Sequence, residues 1–156
     1  MEIFRYIYGN FSNMEKEIND TASRFVGLKP GTRSEKLNFS EVAIHGLKKS
    51  AVEHFLKASK LRPAIFYRYL DITPRALSNY RANQVLRLYL TDRILDLAKL
   101  YAHGLIVFGS IDNFNYWLNA PSVDLNGEKP LDLIHSRHGL EIVDDILGRV
   151  EHGIPA

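Results

Sequence analysis

Residues 62–83, RPAIFYRYLDITPRALSNYRAN, decide how the chain is read. Pro63 can open a helix whose Ile65, Phe66, Tyr69 and Leu70 make an apolar face at helical spacing. Asp71 and Ile72 follow, then Thr73, a good N-cap, and Pro74, whose missing N–H would be unpaired at a first helical position anyway. The second helix buries Leu77 and Tyr80 and turns Arg75, Ser78, Asn79, Arg81 and Ala82 outward. Two short helices about a tight turn make a helix-turn-helix. Such turns often place glycine where φ is positive; Asp71 stands here instead and visits that region at some cost.

The outward set suits a DNA major groove. Arginine bonds guanine edges with two donors, asparagine pairs adenine, and serine or a helix N-terminus holds phosphate. Thr73, Arg75, Ser78, Asn79 and Arg81 are therefore the candidate DNA-binding residues. Charge agrees with this placement. Residues 57–93 carry eight Lys/Arg against Asp71 and Asp92, whereas residues 105–156 carry Lys129, Arg137 and Arg149 against eight acids. A basic middle and an acidic end suggest a polyanion for one part of the chain and a cationic or polar partner for the other.

Upstream, KKSAVEHFLKASKL (48–61) repeats Val52, Phe55, Leu56 and Leu61 close to the spacing of an amphipathic helix. The first forty residues read as the least regular part. Gly9, Asn10, Ser12 and Asn13 break any long period, GLKPGTRSEKLN (27–38) reads as a linker, and Phe4, Tyr6, Tyr8 and Phe11 are candidates to dock on the body. Downstream, PRALSNYRAN is read as running on through QVLRLYLTDRILDLAKLYAHG, with apolar residues on most sides. A helix of that kind is either central to its own domain or shared with a second subunit. Both readings stand; the dimer contact is favoured because operator-binding proteins are commonly two-fold, and Leu88, Tyr89 and Leu95 are its candidate residues. IDNFNYWLN and PLDLIHSRHGLEIVDDILGRVEHG, the latter broken at Gly139, supply further helices, and LIVF (105–108) is the one strand candidate.

Phe108-Gly109, Trp117-Leu118, Pro121, Leu125, Pro130-Leu131-Asp132-Leu133, Gly139, Val143, Leu147 and Glu151-His152-Gly153 form an ordered set. In order and spacing, from about Leu86 to the end, it resembles the C-terminal toxin-binding domain of the Xre/MbcA/ParS antitoxins, and LDITPRALSNYRAN resembles the helix-turn-helix half of the same family. The resemblance implies an antitoxin that pairs with a RES-domain toxin, an NAD-degrading enzyme. Its C-terminal domain would cover the toxin's active-site entrance and its N-terminal domain would repress the shared operon. On that reading residues 1–40 are a partly flexible N-terminal segment, 41–83 a helix-turn-helix domain, 84–104 a connecting and dimerisation helix, and 105–156 the toxin-binding domain of a mainly α protein. Most of the ordered set would shape the fold. Pro121 stops a helix, Asn126-Gly127 makes a tight turn, Pro130 starts the next helix, and Gly139 allows close approach. The final turn and tail, with Arg149, Glu151, His152, Gly153 and Ile154, are the candidate toxin-binding residues; a frayed terminus is the rival reading.

Other classes find less support. His45, His54, His103, His135, His138 and His152 offer bases without a constellation, and no phosphate-binding glycine loop or nucleophile motif is present. An enzyme, a cofactor and a metal site are not expected. The chain has no cysteine, so disulfides and thiolate metal sites are excluded. With no membrane-length apolar run and no leader-like start, a cytoplasmic protein without a membrane partner is expected. Operator DNA, a RES-domain toxin and a second copy of the chain are the expected partners. The alternative is a stand-alone helix-turn-helix regulator whose C-terminal domain binds another protein or ligand.

Overall fold

The computed structural model describes residues 2–28, 41–42 and 44–153, with residues 2–12 described by their backbone alone. The protein is mostly helical, as expected from the sequence. Besides the helical residues 41, 42, 44 and 45, the helices in chain order are α1 (Glu2–Phe25), α2 (Ser50–Ser59), α3 (Pro63–Leu70), α4 (Pro74–Ser78), α5 (Leu88–Phe108), α6 (Ile111–Asn119), a 3-10 turn (Val123–Leu125), α7 (Pro130–Leu133) and α8 (Arg137–Glu151).

Helix α5 is the axis of the molecule. Leu90, Ile94, Leu97, Ala98, Leu100 and Tyr101 are buried on several of its sides, and α1, α2, α3, α6 and α8 all pack against it. Tyr101 sits where the layers meet. Its ring lies 6.1 Å from Phe25 of α1, 5.5 Å from Phe55 of α2 and 5.1 Å from Phe114 of α6, each edge-on. Edge-to-face pairs at such distances satisfy the ring quadrupoles as well as burying apolar area. On the far side of Phe114 the tryptophan ring lies at 5.9 Å, and Phe108 stacks at 6.1 Å, so the aromatic core continues into the C-terminal half. Gly104 makes the α5–α6 contact possible, because a Cβ there would stand 2.4 Å from the Phe114 ring.

The second helix of the expected helix-turn-helix ends at Ser78, so Tyr80, Arg81 and Ala82 follow it and do not belong to it, and three further elements depart from the sequence reading. Residues 2–25, read as irregular, form one 24-residue helix. Its packing explains the difference: Ile18, Ala22, Phe25 and Val26 recur at helical spacing and face α5 and α2, which outweighs the local helix-breaking tendency of Gly9, Asn10 and Asn13. The helix ends in a Schellman arrangement, with Leu28 N–H donating to Ser23 at 2.9 Å and Gly27 N–H to Arg24 at 3.1 Å about a Gly27 φ of +73°. The rest of the expected 27–38 linker, and the docking expected of Phe4, Tyr6, Tyr8 and Phe11, lie outside the described residues and side chains.

Secondly, α5 starts at Leu88 and not at Gln84. Residues 84–86 run extended beside residues 47–49, with Leu86 N–H donating to Leu47 at 2.8 Å and Lys49 N–H to Gln84 at 2.9 Å. Those backbone groups find partners across the chain that a longer helix would deny them. Thirdly, LIVF (105–108) is the last turn of α5, closed by Gly109 at φ +73°, and not a strand; the apolar run is too short for period alone to separate the two. The Lys48–Val85 bridge is the β-type pairing found among the described residues.

Leu95 does not sit at the surface that a dimer seam requires. It is 5% exposed and packed in the core, while Leu88 and Tyr89 are 51% and 46% exposed. Its large exposed apolar side chains, Leu88 and Tyr89, lie at its N-terminal end.

Candidate functional site

Within residues 62–83, α3 ends at Asp71, which adopts the left-handed conformation at φ 52° and ψ 47° and bonds back to Arg68 at 3.3 Å. An aspartate thus takes the glycine-like position of the turn, at a cost of roughly 1 kcal/mol. Thr73 accepts from the Ala76 N–H at 3.1 Å and Pro74 follows as the first residue of α4. Leu77 is buried and Tyr80 half-buried, whereas Thr73, Arg75, Ser78, Asn79, Arg81 and Ala82 are exposed. Ser78 Oγ donates to the Arg75 carbonyl at 2.7 Å, so its hydroxyl is partly engaged within the helix. Lys49 Nζ donates to the Tyr80 carbonyl at 2.8 Å and fixes the exit of α4 to the start of α2.

Beside α4 lies an open groove of about 690 Å³, lined among others by Thr73, Asn79, Gln84, Arg87 and Tyr89. Val85 and Tyr89, both half-exposed apolar side chains, also line it. Two of the candidate DNA-contact residues, Thr73 and Asn79, and one candidate dimer residue, Tyr89, therefore border one region, at the N-terminal end of α5.

The C-terminal candidates lie at the other end of that helix. Trp117 is half-buried, with its ring 5.5 Å from Phe108, and Leu118 is fully buried. α6 stops before Pro121, and Asn126 and Gly127, at φ 54° and 88°, make the tight turn expected of them. Pro130 opens α7. The break in the final helical stretch falls at residues 134–136, where Ser136 caps α8 by accepting from Gly139 N–H at 3.0 Å. Gly139 lies in the first turn of α8, where a Cβ would come 2.0 Å from the Leu133 carbonyl oxygen; close approach, not helix breaking, is its role.

Two of the candidate toxin-contact residues have partners inside the chain. Arg149 pairs with Asp124 at 2.8 Å, joining α8 to the 3-10 turn, and Glu151 lies 3.4 Å from His103 of α5. His152 and Gly153 are exposed, and Ile154 lies outside the described residues. Sequence reasoning missed His103, which also sits 2.7 Å from Asp144. The available signal was a lone histidine among the buried positions of an otherwise apolar helix, where a polar side chain requires a partner. It also missed Asn115, whose amide links α6 to α2 by donating to the Ser59 carbonyl at 2.8 Å.

Electrostatics on this side centre on α5 and α8. Burial pushes the Asp96 carboxyl above its ordinary range, and Arg137, 3.1 Å away, offsets this only in part. His135 Nδ1 faces the Asp132 carbonyl and His138 pairs with Glu141 at 3.7 Å, so the two histidines do not converge. Among the described residues no cluster of three or more His, Asp or Glu is placed to hold a metal ion, and no single helix is long and apolar enough to cross a membrane.

No curated protein matches the chain. The region that begins at His103, takes in α6, α7 and α8, and ends at Gly153 is similar to a known family: residues 103–153 match the antitoxin Xre/MbcA/ParS C-terminal toxin-binding domain.

Proposed function

We propose that the chain is an antitoxin that neutralises a RES-domain, NAD-degrading toxin through its C-terminal region and represses its own operon through α3 and α4. The observation that carries the toxin-binding part is the family match over residues 103–153. Arg149, Glu151, His152, Gly153 and Ile154 on the final turn and tail are the contact residues. Arg149 supplies guanidinium donors to a carboxylate or phosphate-binding pocket. Its pairing with Asp124 is partly exposed and therefore cheap to exchange for a partner group.

The repressor part is supported by a turn with the left-handed Asp71, a capped α4 and an outward basic face in a segment of strongly positive net charge. Thr73, Arg75, Ser78, Asn79 and Arg81 contact operator DNA, with phosphate contacts giving affinity and base-edge contacts giving specificity. Leu88 and Tyr89 pair two copies so that both read a two-fold site.

The deciding experiment is co-purification with the product of the adjacent gene, with NAD followed in cells that express that neighbour alone or together with this chain. A stable complex that stops NAD loss is expected. Absence of a complex would leave the stand-alone regulator. Removing residues 149–156 should abolish neutralisation and spare promoter binding; full neutralisation by the truncated chain would remove the tail from the contact.

A further inference from the structure

His103 lies between two carboxylates that both come from α8. Its Nδ1 is 2.7 Å from Asp144 Oδ1 and its Nε2 is 3.4 Å from Glu151 Oε2, and its side chain is 9% exposed. An ionised carboxylate only accepts hydrogen bonds, whereas a neutral imidazole has one donor and one acceptor. Were the ring neutral, one lone pair would be set against a carboxylate in a site with little water. Only the imidazolium donates at both ends.

Burial works against that cation, but the hydrogen bonds and charges of Asp144 and Glu151 outweigh it and raise the His103 pKa above its ordinary value. Asp144 and Glu151 supply the largest charge and hydrogen-bond effects on the ring. Glu151 is the last residue of α8, while Asp144 lies two turns earlier, in the body of the helix. The two carboxylates therefore hold different things. The Asp144 bond docks the helix, and the Glu151 bond fixes its final turn.

We propose that His103 is a proton-operated latch: protonated, it ties the final turn of α8 to α5, and on losing its proton it keeps the shorter bond to Asp144 and releases Glu151. The proton leaves Nε2 for solvent, since Nδ1–H is retained by the closer carboxylate. Because the folded pKa is raised, the stabilisation is fully present below about 6.5, the unfolded value, and is lost as pH rises through the folded value. His103 is thus a positioning residue for the turn that carries Arg149, Glu151 and His152. Its bearing on toxin binding rests on the function proposed above; the latch itself does not.

The test uses the full chain alone, so failure of the latch is separate from failure to find a toxin. Histidine ring resonances are followed by NMR from about pH 5.5 to 9, with His103 assigned from a His103→Gln variant, alongside the backbone amides of residues 150–153. The expected result is a His103 midpoint above about 6.5, with those amides shifting at the same midpoint. In Glu151→Gln the midpoint should fall and the amides should lose that transition. In Asp144→Asn it should also fall, while the amides still follow it. A midpoint at or below the ordinary histidine value, or final-turn amides indifferent to it, would overturn the latch.

Discussion

The side-chain amide of Asn115 on α6 donates to the carbonyl of Ser59 at the end of α2, at 2.8 Å and across 56 residues of sequence. Its oxygen accepts from the Tyr101 hydroxyl of α5 at 3.1 Å. One residue thus ties the C-terminal half to the N-terminal half through the axial helix. Lys60, paired with Asp112 at 2.7 Å one step further out, spans the same junction in solvent.

Replacing Asn115 with Ala leaves the buried Ser59 carbonyl and the Tyr101 hydroxyl without these partners. A destabilisation of about 2 kcal/mol is expected, which for a chain of this size lowers Tm by roughly 4–8 °C. Thermal unfolding by circular dichroism checks this. Lys60→Ala should cost about 1 kcal/mol or less, because exposed ion pairs contribute little.

Gly139 and Gly148 both lie in α8 and should respond to alanine in opposite directions. A Cβ at Gly139 meets the Leu133 carbonyl oxygen at 2.0 Å, whereas one at Gly148 meets nothing within 4 Å. Gly139→Ala should destabilise by about 1–3 kcal/mol as the α7–α8 junction is forced apart. Gly148→Ala should stabilise by roughly 0.5–1 kcal/mol through helix propensity. Denaturant midpoints of the two variants decide it, and equal signs would contradict the packing described.

The triple change Arg75→Ala, Asn79→Ala and Arg81→Ala removes exposed groups and should leave Tm nearly unchanged. Promoter binding should weaken by about 1–3 kcal/mol for each base edge that is no longer read, and its salt dependence should become shallower for each phosphate that is no longer neutralised. Titration of promoter DNA at several salt concentrations measures both. Neutralisation of the toxin should be untouched; its disappearance would contradict the division of labour between the two ends.

Leu88→Asp with Tyr89→Asp should convert a dimer to a monomer in light scattering with little effect on unfolding of the protomer, because both side chains are half exposed. Leu95→Ala should do the reverse. It sits in the core and should cost about 2–5 kcal/mol while leaving the association state of the folded chain unchanged. A wild-type chain that is monomeric at micromolar concentration would remove Leu88 and Tyr89 from any seam.

The legible parts were those whose signals are local. Thr73-Pro74 marked the start of α4, Asn126-Gly127 marked a tight turn, Pro130 marked α7, and the atoms lie as those residues require. Asp71 was identified as standing where positive φ is needed, and φ is 52°. What sequence could not supply came from long-range packing. Residues 2–25 are locally ambiguous, and it is the buried face of α5 and the ring of Tyr101 that give Ile18, Ala22 and Phe25 somewhere to go. Residues 84–87 looked helical by period, and only the backbone of residues 47–49 reveals why they are not. Likewise Arg149 and Glu151 read as free contact residues, since nothing in a linear string brings Asp124 or His103 to them.

Tyr89 and His103 stand on one continuous helix, fourteen residues apart, which at 1.5 Å per residue is about 21 Å. The first borders the groove beside α4, and the second holds the final turn of α8. A helix buried on most sides neither folds up nor telescopes, so the spacing is that of a ruler. If one end grips operator DNA and the other a toxin, as proposed, that spacing keeps the two partners apart.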